Sequence, residues 1–173
     1  MIFLKDSFSS VIRLCLIGLL WEFVLSLLGW PLWSCALGCV PFLWGTMRLR
    51  TLHDGFSSAF WLSVIRLLLI GAGAIPPLRA FVWESVWSLL IPLCLWLALA
   101  CMAEGFWAIR MSRGLGRNRA AAIVVFLQIL LSTDAVRTVL WLVSTIGILY
   151  ISALWYYHRA ATELEMCDDP PTL

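Results

Sequence analysis

Apolar residues run along this chain in long blocks, broken by short stretches rich in Pro, Gly or charge. A membrane helix needs about 20 mostly apolar residues, and six blocks come near that length. The spans expected are 8–29, 32–47, 59–78, 82–109, 119–131 and 135–157. Gly29-Trp30-Pro31 closes the first, because Pro interrupts the helical ladder and Gly suits a helix end. Block five, at 13 residues, is the weakest span. The connections are short, so successive spans should form antiparallel hairpins.

Composition turns this pattern into a class. Of 173 residues 62% are hydrophobic and 13% charged, with a mean hydropathy of +0.95. A soluble domain is roughly 45–50% apolar and about 25% charged, and a 173-residue soluble fold could not hide this surplus. A disulfide scaffold, a nucleic-acid-binding domain and a disordered regulator all fit poorly. The expectation is an all-α, polytopic membrane protein: one helical domain over 1–160 and an acidic, disordered tail over 161–173.

Charge orients the bundle. With the N-terminus cytoplasmic, Lys5, Arg48, Arg50, Arg110, Arg113, Arg117, Arg119 and Arg159 fall inside and only Arg79 and Arg137 outside. This eight-to-two imbalance follows the positive-inside rule and puts both termini in the cytoplasm. Trp61, Trp107, Trp155, Tyr156 and Tyr157 lie near the inner ends, the depth that amphipathic rings favour.

Residues 6–18 and 54–71 share D-x-F-S-S and then V-I-R-L-x-L-I-G. The offset is 48 for the first piece and 53 for the second, which leaves duplication and chance both open. Ser34-x-x-x-Gly38, overlapped by Cys35 and Cys39, predicts close packing of span two on a neighbour. Those cysteines read as small packing residues rather than a redox or metal pair.

Catalytic signatures are absent: no H-E-x-x-H, no G-x-S-x-G and no Walker loop occurs. Gly114-Leu115-Gly116-Arg117 reads as an inner loop, and His53-Asp54 as a solvated helix start rather than a base with its orienter. The chain is expected not to be an enzyme and to need no cofactor or metal.

The informative residues are ionisable ones within spans, which cost roughly 2.5–3.5 kcal/mol each at a helix centre. With these span limits, Arg13, Arg66 and Glu104 all lie roughly 7–10 Å from the inner ends. They are expected to form an intramembrane charge cluster, with Arg66 and Glu104 coupled across a hairpin. Glu22 has no charged neighbour one turn away and needs a partner on another span, a proton or cavity water. Glu22, Gln128 and the deep Trp21, Trp96 and Trp141 are the expected substrate pocket of a small transporter or transporter subunit. The alternative is a non-catalytic scaffold or regulatory subunit of a larger membrane complex. The bilayer, a small-molecule substrate and other membrane subunits or further copies of the chain are the expected partners; nucleic acid is not.

Overall fold

The structure is a computed structural model that describes residues 7–28, 35–75, 84–132 and 140–166. Every regular element among them is helical: α1 (Phe8–Leu27), α2 (Cys35–Leu49), α3 (Asp54–Gly73), α4 (Glu84–Ser112), α5 (Arg119–Leu131) and α6 (Leu140–Glu165). Each helix packs on its sequence neighbour, and α6 returns to α1, so the six close into a ring. α1, α3 and α4 each contain a stretch long and apolar enough to cross a membrane.

Local chemistry sets the element ends. His53 stands in extended backbone at the start of α3, where its Nδ1 accepts from the Gly55 N–H at 3.0 Å. Asp54 follows in the first turn, where a carboxylate suits the positive end of the helix dipole. α3 therefore begins five residues before the limit suggested by its apolar block. Asn118 caps α5 in the same way through its side-chain oxygen and the Ala120 N–H, at 2.6 Å. α4 stops at Ser112, two residues before Gly114, whose φ of 71° is left-handed, while the Leu115 N–H reaches back to the Arg110 carbonyl.

Two seams fix how α1 sits. Against α2 it packs antiparallel through Gly18, Gly38 and Gly45; a methyl on Gly18 would come within 2.7 Å of the Gly38 carbonyl oxygen. The close face expected around Gly38 and Cys39 is present, whereas Ser34 and the Cys35 side chain lie outside what is described. Against α6, Phe23 lies over Gly147 and tilts onto Tyr150, with ring centroids 5.5 Å apart.

The core fills the ring. Near the helix ends that carry Arg48 and Arg110, Phe8 stacks on Phe106 and meets Phe56 edge-on, and Phe106 meets Tyr157 edge-on. Tyr157 is thus a core residue rather than part of an interfacial belt, because its position on α6 faces inward; Trp155 and Tyr156 beside it are exposed. The outside of the ring is apolar too: Trp21, Leu37, Leu68, Leu97, Phe126 and Ile148 are all exposed. Such an outer surface suits lipid rather than water.

The last helix runs past the expected start of the tail. Ala160, Ala161 and Leu164 are buried, and Glu165 accepts from the Ser9 backbone N–H at 2.6 Å and the Ser9 hydroxyl at 2.8 Å. These contacts hold 161–165 as helix; 167–173 lie outside the described residues.

Candidate functional site

Glu22 is buried, and its partner is Arg66. The guanidinium Nη1 donates to Oε2 at 3.0 Å, and Nη2 contacts Oε1, a two-pronged pairing between α1 and α3. Nη1 also donates to the Cys39 sulfur of α2 at 3.2 Å. Both charged residues are at least nine-tenths buried. Three helices, α1, α2 and α3, thus contribute to one polar centre. Tyr150 of α6, whose ring packs on Phe23, has a buried hydroxyl without a hydrogen-bond partner among the described residues.

Depth explains the pairing. Glu22 lies 14 residues into α1 and Arg66 lies 12 residues into α3, or about 21 and 18 Å from the same end of the bundle. Starting α3 at Ala59 had placed Arg66 about 7 Å too shallow. With the helix start at Asp54, the long Arg stem needs to climb only a few ångströms to reach the carboxylate.

The expected cluster of Arg13, Arg66 and Glu104 does not assemble. Gly55 abuts Cys101 and Gly105, so α3 and α4 run antiparallel with Arg66 opposite residue 92. Glu104 is therefore roughly 18 Å further along. It is exposed and has no ion pair among the described residues, and Arg13 is exposed on α1. The shared V-I-R-L motif thus occupies unlike places: Arg13 is five residues into α1, Arg66 twelve into α3.

The expected pocket is likewise dispersed. Trp21 is exposed on the outside of the ring, because consecutive helical residues point about 100° apart and Glu22 takes the inward position. Trp96 donates its indole N–H to Ser132 at 3.3 Å, tying α4 to the end of α5. Gln128 is half-buried, and its side-chain oxygen has no partner among the described residues. Neither Trp96 nor Gln128 shares a hydrogen bond with Glu22. The Trp141 side chain lies outside what is described.

Cys39 was missed as a partner of Arg66. The offset of 48 carried a usable signal. It aligns Phe8 with Phe56, and these two residues do touch, 6.5 Å between centroids. Extended along α1 and α3, the same offset puts Arg66 level with Gly18, one turn below Glu22.

A second polar junction lies at the opposite end of α4. Buried Arg110 donates to the Ala160 carbonyl at 2.7 Å and the Gly116 carbonyl at 3.1 Å, and pairs with Glu163 at 3.2 Å. It ties the 114–117 loop and α6 to α4. Among the described residues no three His, Cys, Asp or Glu side chains gather as a metal site would require. Comparison with protein-family models, curated proteins and solved structures returned no match, so the site is read from its own geometry.

Proposed function

We propose that the chain is a six-span membrane protein, both termini cytoplasmic, that moves a small solute, with Glu22 and Arg66 as its coupling centre. The observation that carries this reading is the buried ion pair itself. Taking two charges out of water costs several kcal/mol per ion, and replacing such pairs by apolar residues is often neutral or stabilising. Stability alone is thus a weak reason to keep one, and ionisable residues inside a membrane bundle commonly mark substrate or proton paths. Opening the pair would expose a carboxylate able to take a proton or cation and a guanidinium able to take an anion. Tyr150, whose ring packs on Phe23 next to Glu22 in sequence, carries a buried hydroxyl that offers a further hydrogen-bonding group. The basic imbalance between the two sides supports the orientation.

The test is solute-driven proton flux into proteoliposomes loaded with a pH-sensitive dye, using a panel of small organic acids and amines. The expected result is a solute that drives flux through the wild type and not through Glu22→Gln, with both proteins equally folded. Equal flux through both would contradict the reading. So would a wild type that moves nothing, a result that favours the scaffold reading. Exposed Arg13 and Glu104 support that second reading: charges on the outer face, about 7 and 12 Å from the helix ends, suit contact with another membrane subunit.

A further inference from the structure

Two charges stand on the outer face of the ring, Arg13 on α1 and Glu104 on α4. Both are exposed, and neither makes an ion pair or a side-chain hydrogen bond among the described residues. Each belongs to an otherwise apolar stripe. On α1 the next exposed residues are Ile17, Trp21 and Val24; on α4 those before Glu104 include Leu89, Leu97 and Ala100. Their helical spacing keeps each set on one side of its helix. A lone charge against lipid is costly, and such residues pair with one another or face a cavity. α1 and α4 stand across the ring, so the two stripes look away from each other and Arg13 cannot reach the Glu104 of its own copy.

A second copy with the same orientation in the membrane can supply the missing partner. Two contacts set the levels of α1 and α4. Phe8 stacks on Phe106, and Gly55, next to the Phe56 that meets Phe8, abuts Cys101 and Gly105. Counted from these contacts, Arg13 is level with about residues 97–101 of α4, and Glu104 lies roughly 5–10 Å nearer the end where α1 begins. Side chains on a helix lean toward its N-terminus. α1 begins at that end and α4 finishes there, so Arg13 leans toward the level of Glu104 and Glu104 toward that of Arg13. Between two copies the Arg stem would cross exposed Ala100, whose methyl leaves room for it, and Ile17 would meet Leu97 one turn deeper. A small residue at such a point lets neighbouring helices approach. We infer that copies of the chain pack head to tail, the α1 face of one on the α4 face of the next, with Arg13 paired to Glu104 across the interface. Because the two faces look in opposite directions, the contact is heterologous and builds a ring of more than two copies or an open row, not a two-fold dimer. The interface rests on the membrane reading but not on transport.

Photo-cross-linking in proteoliposomes tests it. A tagged chain carries a benzophenone analogue of phenylalanine in place of Ile17, and an untagged, isotopically heavy chain is reconstituted with it. Irradiation should join position 17 to the Leu97 region of α4 in the heavy chain. Glu104→Arg in the heavy chain, which sets like charges face to face, should lower the yield about tenfold, and Arg13→Glu in the tagged chain should then restore it. Glu104→Gln in the heavy chain should lower the yield as well, and decides the matter if Glu104→Arg does not fold. Unchanged yield with Glu104→Gln or with folded Glu104→Arg would overturn the interface. So would heavy-chain products confined to α1, the mark of a two-fold contact. Products confined to lipid or to the tagged chain itself would overturn the interface and leave the membrane reading standing, whereas a chain that stays monodisperse in detergent-free buffer would overturn both.

Discussion

At the scale of single residues, the largest consequences come from who is paired and who is not. Glu22 was recognisable as a residue in need of a partner from its helix neighbours alone, since Cys15, Gly18 and Ser26 carry no charge. Its partner was not recognisable, because that depends on where a different helix starts. Glu165 poses the opposite case. It reads as part of an acidic tail, yet it joins α6 to α1. Partial burial would raise its pKa, but the Ser9 N–H, the Ser9 and Ser7 hydroxyls and nearby His158 outweigh that and hold it below the usual carboxylate value. A depressed folded-state pKa means the contact stabilises fully above the ordinary carboxylate range and is lost as pH falls through the folded value. Thermal unfolding in detergent should therefore show the wild type losing more stability than Glu165→Gln between neutral pH and about pH 3. Parallel losses would show that this carboxylate does not link the two helices.

At the scale of elements, apolar block length found the helices but misplaced their ends. α5 was found over its observed range, because Asn118 marks its start and the apolar run ends where the helix does. α3 was not, since its first turn, Asp54 to Ser58, is polar and looks like loop by hydropathy. The His53-Asp54 start signal was present in the sequence and was the better guide. The five-residue error mattered because it changed the depth of Arg66, and depth decides which charges can meet. The α1–α2 seam, by contrast, is carried by glycines whose role only the backbone approach reveals. Gly18→Ala should destabilise the bundle by about 1–3 kcal/mol, since its methyl would meet two backbone atoms of α2. Gly71→Ala, with nothing within 4 Å of the added methyl, should be neutral or stabilising by up to about 1 kcal/mol. Melting temperatures of the two variants in detergent check the contrast; equal shifts would mean the seam is looser than described.

At the scale of the whole molecule, the ring closes around an aromatic cluster at one end and a charge pair deep inside. The helical, membrane-compatible class was legible from composition, because nothing else accommodates so much apolar surface. The closing contact of α6 on α1 was not, as it joins the two ends of the chain through Phe23, Gly147 and Tyr150, and no local pattern announces it. With α1 and α6 brought together and α3 one helix away, Glu22 and Arg66 face the same interior. A double-mutant cycle tests this arrangement most directly, using Glu22→Gln, Arg66→Gln and the double variant, read by thermal unfolding in detergent. The account predicts a coupling of about 1–3 kcal/mol between positions 22 and 66, and additivity within about 0.5 kcal/mol for the same cycle on positions 66 and 104. Additivity at 22 and 66, or coupling at 66 and 104, would contradict it.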